Sequence, residues 1–133
     1  MTRRKEREQA FCLIFEKCFR DETVEEILEL GETVREFELT DYIKNTFCGT
    51  VEKFDEIDSL FSPFLKNWTV DRLPKTNLAL LRLGVYEMKY NDEIPVSVTI
   101  NEIVELAKIY ADEKDVAFIN GVLGSVAGKE SIS

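Results

Sequence analysis

The sequence contains no histidine. Histidine is the commonest general base, nucleophile activator and metal ligand in proteins, so its absence argues against most hydrolases and metalloenzymes. The six glycines form neither a GxGxxG nor a GxxxxGK pattern, and GxSxG and HExxH are also missing. Phosphate-binding loops, nucleophile elbows and zinc-protease motifs are therefore not indicated. We expect a protein that is not an enzyme and that uses no cofactor and no metal ion.

Cysteine is scarce, and long apolar runs are absent. Cys12, Cys18 and Cys48 are an odd number without CxxC spacing, which favours reduced cysteines packed as small hydrophobic residues over a disulfide framework or a zinc site. No apolar run approaches the roughly 18 residues that a membrane helix needs, and the start of the chain does not resemble a signal peptide. We therefore expect a cytoplasmic protein without membrane contact.

Positive charge is concentrated at one end of an acidic chain. The net charge is -9, yet residues 1–7 hold four bases and one acid, which leaves 13 bases and 25 acids, a balance of -12, in the other 126 residues. An acidic body repels nucleic acid, so a polyanion has to be met by a local patch. The candidate patch consists of Arg3, Arg4, Lys5 and Arg7.

The basic patch lies at the entrance of a predicted helix that begins near Arg4. Its apolar stripe recurs at positions i, i+3, i+4 and i+7, namely Phe11, Ile14, Phe15 and Cys18. Bases in the first turn oppose the helix macrodipole, so they weaken the helix locally. Such a cost without a local benefit indicates an anionic partner. The alternative is a frayed cationic terminus that only aids solubility.

Capping patterns predict the next helices. Thr23 and Glu26 have capping-box spacing and predict a helix that stops near Gly31. Thr40 can cap a third helix, whose apolar stripe continues to Phe61. Because Gly49 lies inside this long stretch, we expect either a bend or two consecutive helices.

The second half of the chain continues the helical pattern. A helix is predicted to follow Pro74 and to reach about Tyr90, with Gly84 allowing a neighbouring helix to approach closely. Gly121, in the last predicted helix, receives the same interpretation.

Two further boundaries complete the prediction. Thr99 and Glu102 repeat the capping-box spacing before another helix, and the last helix is predicted to start within residues 112–115. Period-two alternation is confined to a few residues around 96–98. The sequence thus predicts an all-α protein of six or seven helices, with one domain over residues 1–133.

Residues 80–123 contain a series of short motifs. They are LR at 81–82, YE at 86–87, IP at 94–95, INE at 100–102, ELAK at 105–108 and FINGVL at 118–123. With these motifs the segment resembles the NusB family of transcription antitermination factors. Upstream, Trp68, Arg72-Leu73 and the Arg-rich start are also similar to that family.

The resemblance implies about seven helices in two packed bundles, and it implies a function. Members of this family pair with the ribosomal protein NusE, bind the boxA element of nascent RNA, and act with RNA polymerase in the Nus factor complex, notably in ribosomal RNA operons. A homodimer is a further possibility. The family's arginine-rich motif contacts RNA, and the matching residues are Arg3, Arg4, Lys5 and Arg7.

Other site residues follow only from the resemblance. Phe118 matches an aromatic residue near the RNA-binding face, with a core position as the alternative, and Lys114 is either a further RNA contact or a solvated lysine. Asp71 and Asn77 match positions that contact the ribosomal partner, although Asn77 replaces an acid of some relatives. Phe15 is expected in the core.

Tyr86 and Glu87, although part of the family signature, are expected to pack and cap helices. If four cations of the protein each neutralise one phosphate of single-stranded RNA, the logarithm of the binding constant should fall with the logarithm of salt concentration at a slope of roughly -3.

One alternative function is a protein-interaction module that binds the ribosomal protein without RNA specificity. A second is the helical domain of a ribosomal RNA methyltransferase, for which the sequence offers no cofactor-binding domain.

Overall fold

The computed structural model describes residues 1–19, 23–34 and 38–130, without the side chains of 30–34. Within these ranges it contains no strand, and residues 96–98 are helical, so the all-α prediction is confirmed. None of the described helices is long and apolar enough to cross a membrane. The described helices are α1 (Arg3–Lys17), α2 (Val24–Val34), α3 (Asp41–Glu52), α4 (Phe54–Phe61), α5 (Lys75–Tyr90), α6 (Val96–Tyr110) and α7 (Glu113–Lys129).

Helix α5 is the centre of the packing. Helices α1, α2 and α3 form one group, in which α1 contacts both others, and α4, α6 and α7 pack around α5. Both α1 and α3 also pack against α5 and so join the two groups. Leu80, Leu81 and Leu83 of α5 are fully buried. Their burial removes apolar surface from water, which is the main force that holds the helices together.

Local capping fixes several helix starts as predicted. The hydroxyl oxygens of Thr2 and Thr40 accept hydrogen bonds from backbone N–H groups three residues later. Thr23 and Glu26 form both halves of the capping box, with N–H to oxygen distances of 3.2 and 3.3 Å. The predicted stop near Gly31 is wrong, because α2 continues to Val34.

The stretch predicted as one bent helix or two consecutive helices forms two helices, α3 and α4. The break lies at Lys53, between α3 and α4. Gly49 lies inside α3, where a Cβ atom would be 2.6 Å from Cζ of Tyr86. This glycine therefore admits a neighbouring side chain and does not end the helix.

The other two glycine predictions have opposite outcomes. A Cβ atom at Gly84 would lie 3.0 Å from the Leu123 side chain, so the predicted close approach of α7 to α5 is confirmed. At Gly121 no atom of the described residues lies within 4 Å of the built position, so that prediction is wrong. Gly121 is on an exposed part of α7, which the apolar pattern alone did not indicate.

Helix α6 begins earlier than predicted. Val96 is its first residue and Pro95 precedes it, because the fixed φ of proline suits a helix start. Thr99 therefore lies within the first turn and is fully buried. Its hydroxyl donates a hydrogen bond of 3.0 Å to Glu87. The predicted capping box of Thr99 and Glu102 is wrong, and both residues make long-range contacts instead.

Candidate nucleic-acid interface

The first turn of α1 exposes three of the four predicted cations. The side chains of Arg3, Arg4 and Lys5 are 48%, 70% and 60% exposed. Each contacts a carboxylate: Arg3 lies 3.3 Å from Glu6, and Lys5 lies 3.2 Å from Glu8. Exposed pairs of this kind contribute little to stability and are screened by salt. A phosphate group can therefore compete for these cations.

Arg4 is held from a distant part of the chain. Its Nε and Nη2 atoms donate to the two carboxylate oxygens of Glu102 in α6, at 3.2 and 2.9 Å. This hydrogen bonding raises the pKa of Arg4 above its ordinary value. A bidentate pair fixes the plane of the guanidinium, and Nη1 makes no hydrogen bond to any residue that the structure describes. Arg4 is thus oriented while part of it stays available.

Arg7 is buried, which contradicts the prediction that it contacts RNA. Only 2% of the residue is exposed. Its Nε and Nη2 atoms donate to the carboxylate of Glu87 at 2.9 and 2.7 Å. Burial alone would lower the pKa of Arg7, but the Glu87 carboxylate outweighs it, so the pKa is raised. The cation neutralises a buried acid, and no surface remains for a ligand.

Glu87 is the centre of a buried polar cluster. Besides the two bonds from Arg7, it accepts hydrogen bonds from the hydroxyls of Tyr42 at 2.9 Å and Thr99 at 3.0 Å. Burial and the neighbouring carboxylate raise the pKa of Tyr42. The expectation that Glu87 packs inside the fold is confirmed, but it caps no helix. A buried charge is tolerated when it is paired and fully hydrogen-bonded, as here.

The buried cluster supports the exposed cations from beneath. Nη1 of Arg7 lies 3.6 Å from Glu102, the same carboxylate that holds Arg4. The guanidinium of Arg3 lies over the Tyr42 ring, 4.2 Å from its centroid, in a cation–π contact. α1 therefore presents its cations on a base built from α3, α5 and α6.

A second group of predicted residues shares one pocket. Phe118, Lys114 and Asn77 all line a cavity of about 400 Å³ at the starts of α5 and α7. Phe118 is partly exposed and also packs against the core, so the core alternative holds for part of its ring, and the RNA contact stays a prediction. Lys114 is exposed and makes no ion pair with the described part of the chain. This pocket has the aromatic and cationic groups that an unpaired base and its phosphate need.

The two predicted partner contacts differ in exposure. Asp71 is exposed in a short turn before α5, and a hydrogen bond from the Thr69 side chain lowers its pKa. Asn77 is only 2% exposed, which contradicts its assignment to a protein–protein surface. It lies in the first turn of α5, whose inner face is covered by the core. Asp71 alone remains as a candidate partner contact.

Trp68 was missed as a site residue by the sequence reasoning. It is 52% exposed and lines the same pocket as Phe118. The sequence offered two signals, the match of Trp68 to the family and its place in a polar stretch before the predicted α5. Neither distinguishes a core residue from an exposed one.

Phe15 is only partly in the core. It packs against the core and lines an apolar groove of about 530 Å³ together with Phe11, Phe19 and Tyr110. The expectation of a core position therefore holds for one face of the ring.

Known proteins are similar to this chain in sequence and in fold. The family model of the NusB family matches residues 4–128. The transcription antitermination protein NusB of Listeria monocytogenes serotype 4a (strain HCC23) is 41% identical over 130 residues, which cover 98% of this chain and 99% of that protein.

Solved structures agree. T. maritima NusB superimposes with a TM-score of 0.87 at 34% identity, covering 97% of this chain and 92% of the other. A chain from the structure of antitermination factors NusB and NusE in complex with dsRNA has a TM-score of 0.83 at 30% identity, covering 97% and 99%. The fold, the motifs and these matches together show that the chain belongs to the NusB family.

Proposed function

We propose that this protein is a cytoplasmic transcription antitermination factor that binds boxA-type single-stranded RNA together with the ribosomal protein NusE. In this proposal it acts with RNA polymerase in the Nus factor complex and promotes read-through in ribosomal RNA operons. The observation that carries the proposal is the exposed cationic turn of Arg3, Arg4 and Lys5 on an otherwise acidic body. Membership of the NusB family supports it.

Charge explains why a partner is needed. Three exposed cations, rather than the four of the sequence prediction, give a logarithmic salt slope of about -2 at roughly 0.7 per neutralised phosphate. Such a small patch on an acidic body binds RNA weakly by itself. A basic partner that supplies its own phosphate contacts would complete the site. A related structure contains NusB and NusE in complex with double-stranded RNA, which supports an assembly of these two proteins with RNA.

The decisive experiment is a salt titration of RNA binding. Full-length protein is titrated with boxA-type RNA, a scrambled strand and the boxA-type duplex, each with and without NusE. We expect a preference for the single boxA-type strand that grows when NusE is added. Equal binding of all three RNAs in both series would contradict the proposal.

Charge reversal identifies the residues that are responsible. Arg4→Glu should weaken RNA binding and flatten the salt slope by about 0.7, because one phosphate contact is lost. Lys44→Glu is the matched control, since Lys44 is an exposed lysine on α3. We expect the control to leave RNA affinity nearly unchanged. Circular dichroism of both variants verifies that the fold is intact.

The alternative, an interaction module without RNA specificity, rests on the same acidic body. Under that alternative Arg4→Glu leaves RNA affinity unchanged while NusE still binds. Asp71→Lys tests the partner surface, because reversal of an exposed acid should weaken the docking of a basic protein.

A homodimer of the free protein is a further proposal, and analytical sedimentation of the protein without NusE tests it.

A further inference from the structure

Four charged side chains of alternating sign lead from the core to the surface at the start of α1. They are, in order, Glu87, Arg7, Glu102 and Arg4, and their side chains are 1%, 3%, 15% and 70% exposed. Arg7 donates two hydrogen bonds to Glu87, and its Nη1 atom lies 3.6 Å from Oε1 of Glu102. Glu102 in turn accepts two hydrogen bonds from Arg4. The exposed end of this ion-pair series is therefore anchored in the core.

Arg4 is held differently from the other two exposed cations of α1. Arg3 and Lys5 each reach a glutamate three residues later on the same helix, through one hydrogen bond. Arg4 makes two hydrogen bonds to a carboxylate of another helix, and that carboxylate is itself paired with Arg7. Because Glu102 is largely buried and already placed, its pair with Arg4 costs less side-chain entropy than a fully exposed pair. The pair at Arg4 is therefore more persistent than the other two.

Glu102 has two opposite effects on a phosphate group that approaches Arg4. A guanidinium has five N–H groups and Glu102 takes two of them, so three remain along the edge formed by Nη1 and Nη2. The fixed plane presents that edge in one direction, which favours a phosphate in the matching position. The carboxylate also repels any phosphate and offsets the attraction of Arg4. A ligand that offers only negative charge therefore gains little from Arg4, whereas a correctly placed phosphate gains directed hydrogen bonds.

We propose that Glu102 is a specificity-determining residue, which weakens the binding of polyanions in general and positions Arg4 for a phosphate in one place. Specificity is a difference between two affinities, and a repulsive charge set against the wrong ligand is one way to enlarge it. Glu102 acts through Arg4 in this role. Its effect on polyanions in general follows from the charges alone, whereas its effect on RNA selectivity rests on the proposed function.

The test compares ligands of two kinds on a variant that keeps the shape of Glu102. Glu102→Gln removes the charge and retains one oxygen that can accept from Arg4. Unmodified full-length protein and the variant are each titrated with labelled heparin, which is a polyanion without base sequence. We expect heparin to bind the variant about threefold to fivefold more tightly, which is the size of one exposed ion pair. A purely structural role of Glu102 would weaken binding instead.

RNA selectivity is measured on the same two proteins in the presence of NusE. BoxA-type and scrambled single strands are titrated in parallel, and the ratio of their affinities is compared. We expect this ratio to fall by about threefold in Glu102→Gln, because an unrestrained guanidinium binds phosphates of either strand.

Two further variants separate the role of Glu102 from that of net charge. Glu25→Gln makes the same change in net charge at an exposed residue of α2 that has no ion pair within the described part of the chain. It should change heparin affinity by less than about twofold, since only the long-range field is altered. In the background of Arg4→Gln, Glu102→Gln should no longer raise heparin affinity, because the two residues act as a pair. Circular dichroism verifies that all variants are folded.

Distinct outcomes would overturn distinct claims. If Glu102→Gln leaves heparin affinity unchanged or lowers it, the inference is wrong. The same gain in the Arg4→Gln background would also overturn it, because the effect would not pass through Arg4. An unchanged ratio between boxA-type and scrambled RNA would remove the positioning role. If the unmodified protein binds no RNA even with NusE, the proposed function fails, while the heparin titration still decides the effect of Glu102 on polyanions.

Discussion

Arg4 and Arg7 lie one turn apart on the same helix, and the structure uses them in opposite ways. Arg4 is mostly exposed and is held by Glu102 at its edge, whereas Arg7 is buried and is paired with both Glu87 and Glu102. Both pair with carboxylates from distant helices. The difference teaches that a run of basic residues is not a single functional unit. One member of the run builds the fold, and its neighbours face the solvent.

The largest expected effect breaks the buried pair. Arg7→Met leaves the Glu87 carboxylate buried without its cation, so we expect the free energy of unfolding to fall by about 3–5 kcal/mol. Urea denaturation of the variant and of the unmodified protein measures this loss in the free energy of unfolding. Arg4→Met is the matched control and should change stability little, because exposed pairs contribute little.

A double variant tests the cause of that loss. Adding Glu87→Gln to Arg7→Met removes the buried charge. The amide oxygen can still accept from one of the Tyr42 and Thr99 hydroxyls, and the amide NH2 can donate to the oxygen of the other. Part of the lost stability should return. Equal losses for Arg4→Met and Arg7→Met would contradict the contrast between the two arginines.

Gly49 and Gly121 compare an interior position with a surface position, and we expect smaller changes in stability there than at Arg7. Gly49→Ala places a methyl group against the Tyr86 ring, so we expect a loss of about 1–3 kcal/mol in stability. Gly121→Ala meets no described atom within 4 Å and lies in a helix, so it should stabilise by about 0.5–1 kcal/mol. Thermal unfolding compares the two variants. A gain at Gly49 would show that Tyr86 moves aside freely.

The smallest expected effect concerns the hydrogen bond from the Tyr110 hydroxyl to Glu8, the acid that pairs with Lys5. The Tyr110 hydroxyl is the main cause of the lowered pKa of Glu8. Since the folded pKa is depressed, this contact stabilises above the unfolded pKa and is lost as the pH falls through the folded value. Tyr110→Phe should raise the pKa of Glu8, so that this contact stabilises less and its loss on acidification is complete at a higher pH. NMR titration of Glu8 checks the direction, and an unchanged pKa would contradict the assignment.

Local patterns predicted most of the fold. The caps at Thr23 and Thr40, and the choice of helix for nearly every segment, depend on residues a few positions apart. Periodicity and caps alone predicted six or seven helices, and the family resemblance implied about seven. The failed prediction has a tertiary explanation. Thr99 and Glu102 have capping spacing, but their side chains bond to Glu87 and Arg4 of other helices.

The site was less predictable, because burial depends on contacts between distant residues. Arg7 and Glu87 are 80 positions apart, and no local pattern indicates that they meet. Residue type also misleads about burial at two positions. Asn77 is polar but buried, and Trp68 is aromatic but exposed. Charge counting located the cationic turn correctly but assigned it one cation too many.

Because other helices support the cationic turn, its residues cannot simply be grafted onto another protein. Arg4 needs Glu102 from α6, and Arg3 rests on the Tyr42 ring from α3. A synthetic peptide of residues 1–19 would keep these positive charges and the pairs with Glu6 and Glu8, but it would lose Glu102 and the Tyr42 ring. A chimera that borrows this cationic turn must therefore include parts of three helices, even though its charges are contiguous in the chain.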